Sequence, residues 1–428
     1  MAMILNRRRL LRSAGAAAVV GMGAGLSACS SASSAASAQS AKSKSIQLLL
    51  LGPDQTTIAW LNTTLLPAFT ESSGIHVTLQ TSDWGSAFQK VTTSAASNSL
   101  ADVFLIGGIW NAPLASKNVM LDITDRVKGW DGSRQIYPSM LSDGVYKGAN
   151  YSIPVYADVR TNIGRTDLLK KAGVSWVPRT WDEWTSAAQA MKAQGVSCPI
   201  YFGLDKSIGL QQRFAHLMLS AGGTYWDSSG KPQFSSEAGR ASLQYMVDTF
   251  QHGLSDYNVV WSGNGALPPV QGLSGLALDG AALPRNAEVN QASALPLLSA
   301  GKGIQMTSSS QPTALAFVNK LAIAKNTKDP DAAFELIKFV CSPEHGGDFA
   351  RYYGGMPVRQ DLANASWLTG IYKDIAATAT NAVSQPANPV MMSLGPAVNQ
   401  LLEPAIRGKA SVAATLAAID AKVASLTA

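Results

Sequence analysis

Residues 102–110, Asp-Val-Phe-Leu-Ile-Gly-Gly-Ile-Trp, decide the architecture. The apolar run 103–106 is unbroken and closes on two glycines. An unbroken run of that length, rather than an alternating one, is the pattern of a strand covered on both faces, as in a parallel sheet. Upstream, Gly74 precedes Ile75-His76-Val77-Thr78-Leu79, a second strand, and 46–51 is another apolar run ending at Gly52-Pro53. Between these runs Ile58, Leu61, Leu65 and Phe69 recur at helical spacing, with Pro67 expected to bend or break that helix. A polar, helix-like stretch fills residues 85–99. Strand, helix, strand, helix, strand predicts a parallel α/β sheet.

Ligands of such sheets bind beyond the carboxyl ends of the strands. Those ends are Asp54-Gln55, Asp83-Trp84 and Ile109-Trp110. Each places polar or aromatic groups where a crevice is expected. Asp54 and Asp83 each have a second reading, as caps of the following helices. Trp110 has one too, as a residue packed under its loop. Further along, Thr180 and Glu183 have capping-box spacing, predicting a helix that ends at Gly195. Asp329-Pro330 starts another helix, whose apolar face holds Ala333, Leu336, Ile337 and Val340, and Ser342-Pro343 repeats the start signal. The tail, with Leu401, Ile406, Leu416, Ile419 and Val423, reads as two amphipathic helices.

The amino terminus carries an address. Asn6-Arg7-Arg8-Arg9-Leu10-Leu11-Arg12 leads into a weakly apolar run that ends at Leu26-Ser27-Ala28-Cys29. A basic start, an apolar middle and small residues before a cut describe a secretory signal over residues 1–28. The small residues followed by cysteine resemble the lipobox of bacterial lipoproteins, which implies a lipidated Cys29. The paired arginines resemble a twin-arginine export motif, with the Sec route as the alternative. Four glycines and Arg12 make the run too interrupted to span a membrane. Residues 30–45, SSASSAASAQSAKSKS, have nothing to bury and read as a flexible tether with a mean reach of roughly 20–24 Å.

The remaining body, about 380 residues, is long enough for two full cores. The chain's formal charge is +6. The signal segment holds four arginines and no acid, leaving about +2 on the mature chain. Lysine and arginine are scattered, which argues against nucleic acid as a partner. Cys198 and Cys341 read as two buried free thiols rather than a disulfide.

Three stretches together resemble the extracellular solute-binding proteins of ABC importers, in particular the maltose-binding-protein-like group that takes carbohydrates. Residues 102–125, DVFLIGGIWNAPLASKNVMLDITD, resemble the passage from the third strand into a first-lobe helix. Residues 151–184, YSIPVYADVRTNIGRTDLLKKAGVSWVPRTWDEW, resemble the crossing between lobes and the start of the second lobe. Residues 313–361, TALAFVNKLAIAKNTKDPDAAFELIKFVCSPEHGGDFARYYGGMPVRQD, resemble the return into the first lobe. The resemblance implies a periplasmic-binding-protein-like α/β fold, two lobes joined by hinge segments with the ligand cleft between them. Residues 46–157 plus 314–361 would form lobe 1 and residues 158–313 plus 362–428 lobe 2, with crossings near Ala157, Thr313 and Asp361. It also implies a monomeric, non-enzymatic receptor without cofactor or metal, tied by lipid to the outer face of the cytoplasmic membrane, which delivers a mono- or oligosaccharide to ABC permease subunits.

A sugar offers hydroxyls in several directions and flat C–H faces. Its site needs carboxylates, amides or guanidinium groups interleaved with aromatic rings. The expected contacts are Asp54, Gln55, Asp83, Trp84, Trp110, Tyr156, Asp158, Arg160, Trp261, Asp279 and Arg285. Strand periodicity puts Tyr156, Asp158 and Arg160 on one face, with an Asp158–Arg160 surface ion pair as the alternative reading. The segment GLSGLALDGAALPRN, residues 272–286, departs from the family pattern. Ala281, Ala282 and Leu283 stand where a stacking aromatic is often found, so Asp279 could instead only shape the turn. Tyr352-Tyr353 resemble a ferric-ion phenolate pair less than a cleft-rim segment. The competing class is a secreted glycoside hydrolase, which needs only two carboxylates. None of His76, His216, His252 and His345 has metal-ligand spacing, and there is no G-x-S-x-G elbow. Within the receptor reading, polyamine, glycerol phosphate or peptide are the alternative ligands.

Overall fold

The computed structural model describes residues 44–203, 209–261, 265–385 and 388–427. The signal segment, Cys29 and most of the tether lie outside them. Eleven strands are present among the described residues: β1 (Ser45–Leu51), β2 (His76–Ser82), β3 (Val103–Ile106), β4 (Val145–Tyr146), β5 (Ala149–Asn150), β6 (Ser152–Arg165), β7 (Ile200–Tyr201), β8 (Leu276–Asp279), β9 (Leu298–Ala300), β10 (Ala314–Ile323) and β11 (Ala382–Ser384). Apart from the β4–β5 hairpin they form one curled sheet in the order β2-β1-β3-β10-β6-β8-β7, with β11 beside β10 and β9 beside β6. β1 starts at Ser45, so the last residue read as tether is already paired, to His76.

The three strands expected from the apolar runs are all present and parallel, Ser45–Leu51 pairing with His76–Ser82 and Leu48 with Val103. β3 and β10 are buried along their whole length, which is why they read as unbroken apolar runs. β10 runs antiparallel to β3 and β6. The fourteen-residue β6 joins two sections of the sheet: its first half pairs with β10, and its second half with β8 and β9. Ala157 of β6, Ala314 of β10 and Val358 of the following loop share one buried cluster with Ile371 and Ile375. Three chain passages separated widely in sequence therefore meet in one place.

Local signals place the helices well. Thr180 and Glu183 close a reciprocal capping box on the helix Trp181–Ala193, and Gly195 takes φ +85° just beyond it. Asp329 caps the helix Pro330–Val340. Helices Met391–Ile406 and Val412–Thr427 form the tail. The helix is irregular just before Pro67, as expected: Gln55–Trp60 gives way to a π turn over Leu61–Leu65 and resumes as Leu66–Ser73. One expectation needs correction. Ser342-Pro343 does not start the next helix, which begins at Gly346. Ser342 instead holds a preceding turn, its hydroxyl accepting from the His345 N–H and its carbonyl from Gly346. Cys198 and Cys341 are free and buried, and burial pushes the Cys341 thiol up to about 12.

Candidate functional site

The ends of β1, β2 and β3 converge. Asp54 accepts the Thr57 N–H at 2.6 Å and caps the helix Gln55–Trp60. Asp83 accepts the Ser86 N–H at 2.9 Å, and its second oxygen takes the Ser86 hydroxyl. Those two bonds hold its carboxyl below the usual carboxylate range. Both carboxylates are thus engaged by their own helices, as the capping reading has it, and Gln55 is exposed beside them. The aromatic groups make the corner. Trp84 lies across Gly52, where a β-carbon would come within 2.3 Å of the indole nitrogen. Only glycine fits, and its φ of +64° is one that glycine adopts without strain. Trp84 meets Trp110 edge to face, centroids 5.8 Å apart, and Phe88 backs Trp110 at 5.3 Å. Trp110 is buried while Trp84 keeps 40% of its surface open, so the pair presents one fixed ring to solvent.

From this corner the wall continues onto the crossing strand. Gly108 packs against the Phe317 backbone of β10, and Phe317 pairs in register with Asp158 of β6. Arg160 sits 4.9 Å from the Phe317 ring centroid. Its Nε and Nη2 reach Asp158 Oδ2 at 2.9 and 2.8 Å, and its Nη1 donates to Gln212 Oε1 at 2.5 Å. The Asp158–Arg160 pair exists, but it is largely buried rather than a surface pair. Asp158 Oδ1 is buried without a hydrogen-bond partner and faces Gly280, where a β-carbon would stand 2.5 Å away. Tyr156 is buried and stacks on Tyr353 at 5.1 Å, and burial pushes its phenol far up.

The other expected contacts spread outward. Asp279 bonds its own neighbour's N–H on Gly280 at 2.8 Å and lies 3.5 Å from Arg213 Nη2, so it both shapes the turn and holds a cation. Arg285 stands over Tyr352, which in turn stacks on Trp60 at 4.3 Å. Trp261 is half-buried, donates to Gly265 O at 3.3 Å and packs on the crossing cluster. Its neighbours 262–264 are outside the described residues. The fold brings Trp84 to Trp110, and Asp158 to Arg160. Gln212, Arg213, Phe317 and Gly280 complete the wall and were not expected. Gln212 reaches Arg160 from 52 positions away, and no local pattern marks these residues.

A family model for bacterial extracellular solute-binding proteins matches residues 53–346. The chain belongs to this family. A Brucella abortus (strain 2308) relative, described as a binding protein, is 24% identical over 304 residues, 69% of this chain and 72% of that one. A solute-binding protein of Thermotoga lettingae, solved with alpha-D-tagatose, superposes with a TM-score of 0.81 at 19% identity, covering 90% of this chain and 100% of that chain. Maltose-bound MalE3 of T. maritima gives 0.78 at 20%, covering 89% and 99%. A member of this family binds a small solute outside the cytoplasm for an ABC transporter and catalyses nothing.

In this solute-binding protein a histidine lies buried beside the wall. His216 Nε2 is 3.0 Å from the Thr313 carbonyl, at the entry to β10. Burial lowers its pKa to about 4, and the nearby cations Arg160 and Arg213 push the same way while the Thr313 bond opposes them. The fold therefore holds His216 neutral. Below pH ~6.5 the unfolded chain takes a proton that the fold refuses, so stability is full above that pH and drains as pH falls towards 4. The loss reaches about 3 kcal/mol. His216→Gln should flatten the melting temperature between pH 6.5 and 4. An identical acid slope in both proteins would remove His216 as the cause.

Proposed function

We propose that the protein is a carbohydrate receptor of an ABC importer, exported by the Tat or Sec route and tethered by lipid on Cys29. Residues 46–157 plus 314–361 act as one lobe and 158–313 plus 362–428 as the other, hinged where β6, β10 and residues 356–358 share a buried cluster. The observation that carries the reading is the Trp84–Trp110 corner continued by the Asp158–Arg160 pair. Trp84 offers a ring for a C–H face. Asp158 offers a carboxylate oxygen with no internal partner for a hydroxyl. A polyamine would need several free acids, and Asp54, Asp83 and Asp279 are each engaged within the protein.

Isothermal titration of the mature protein against mono- and oligosaccharides tests this, with tryptophan emission followed in parallel. A saccharide should bind and shift the emission of half-open Trp84. Response to spermidine, glycerol phosphate or a peptide with none to any sugar overturns the substrate class. Hydrolysis of a glycoside overturns the receptor reading. For the anchor, mass spectrometry of the membrane-extracted protein should find a diacylated Cys29. An unmodified cysteine there would remove it.

A further inference from the structure

Arg285 stands in the helix Ala282–Asn290. Gly280, just before that helix, faces Asp158 Oδ1, and its first residue Ala282 packs on Gly354, whose neighbour Gly355 packs on Tyr156. Arg285 Nη1 donates to Glu288 Oε2 at 3.1 Å, and the guanidinium lies 5.0 Å from the Tyr352 ring centroid. Its Nε and Nη2 are shut off from solvent and have no hydrogen-bond partner. Glu288 does not supply one: its other oxygen faces Arg351 at 3.7 Å.

Those two nitrogens form one edge of the guanidinium plane. Their N–H bonds run parallel and match the two oxygens of a carboxylate. Other buried arginines show what this edge takes. Arg165 and Arg359 each close it on both oxygens of an aspartate two positions on, Asp167 and Asp361. Arg160 closes it on Asp158. Arg285 carries the same edge with no acid to fill it. Buried donors without partners oppose closure, and a neutral hydroxyl satisfies only one of them with an uncharged acceptor.

We infer that the preferred ligand is an acidic saccharide whose carboxylate is gripped bidentately by Arg285 Nε and Nη2, while Asp158 Oδ1 accepts from a ring hydroxyl. The inference rests on the carbohydrate reading above and narrows it.

Isothermal titration of the mature protein should compare glucuronate and galacturonate, with their oligomers, against glucose, galactose and maltose, with glucose 6-phosphate as a tetrahedral oxyanion. The uronates should bind ten- to a hundredfold tighter than their neutral counterparts. Arg285→Gln should erase that ratio, lowering uronate affinity by the ten- to hundredfold that the grip supplies. Arg285→Lys, which keeps the charge without the fork, should recover only part of it. Neutral sugars binding as well as uronates in the unsubstituted protein would overturn the inference alone, with no variant needed. Preference for the phosphate over the uronates would overturn the planar-carboxylate assignment. If no saccharide binds, acidic or neutral, the carbohydrate reading fails with it.

Discussion

Asp143→Ala should cost about 3–5 kcal/mol of folding stability, because it strands a buried cation. Lys320 lies within β10 with its side chain fully enclosed. Its ammonium donates to the carbonyls of Val318 at 2.8 Å and Gly108 at 3.0 Å and pairs with Asp143. Burial lowers the lysine's pKa and Asp143 opposes that shift. Without the carboxylate the enclosed charge keeps only two neutral carbonyls. Lys320→Met should cost less: it fills similar volume, and Asp143, which retains some exposure, can turn to solvent. Urea denaturation of both variants checks the asymmetry. A loss below about 1 kcal/mol for Asp143→Ala would mean that Lys320 is folded as the neutral amine. The Gly108 bond has a second consequence. It fixes the turn that carries Trp110, so a loosened Lys320 should also blunt any ligand-induced change in tryptophan emission.

Asp158→Ala should weaken ligand binding about ten- to a hundredfold with little loss of stability. Arg160 would keep its 2.5 Å bond to Gln212, its seat over Phe317 and, at 19% exposure, some contact with water, so the cation left behind is not stranded as the fully enclosed Lys320 would be. The ligand would lose a carboxylate oxygen that the fold leaves unpartnered at the crossing. Titration with the best-binding saccharide decides the matter. An unchanged affinity would take Asp158 out of the site and leave it as a purely internal partner of Arg160.

The contrast between these two acids shows what could be read from the chain. Asp158 was legible because it alternates with Tyr156 and Arg160 along a strand, and two-residue periodicity is a local property. Asp143 was not, since its partner lies 177 positions away. Lys320 itself left a trace: a lysine inside ALAFVNKLAI, an otherwise apolar and fully buried strand, demands a counter-charge, but nothing local says which acid supplies it. Ser342-Pro343 misled for the complementary reason, since its hydroxyl serves a turn as well as it would a helix end.

The sequence by itself determined the parallel strands, the capped helices and the corners where strand ends place Trp84 and Trp110. Apolar periodicity, caps and glycine turns act over a few residues, so they survive in a linear reading. Tertiary structure alone decided which side chains those corners keep free. Asp54 and Asp83 spend their carboxylates on helix N-termini, Asp279 on Gly280 and Arg213, while Asp158 and Arg285 retain buried polar atoms without a partner. Hydrogen-bond capacity is used up by whichever group arrives in space: for Asp54 and Asp83 that is an N–H three positions on, but which polar atoms remain without a partner is settled only when distant segments such as β6 and the helix Ala282–Asn290 are packed together.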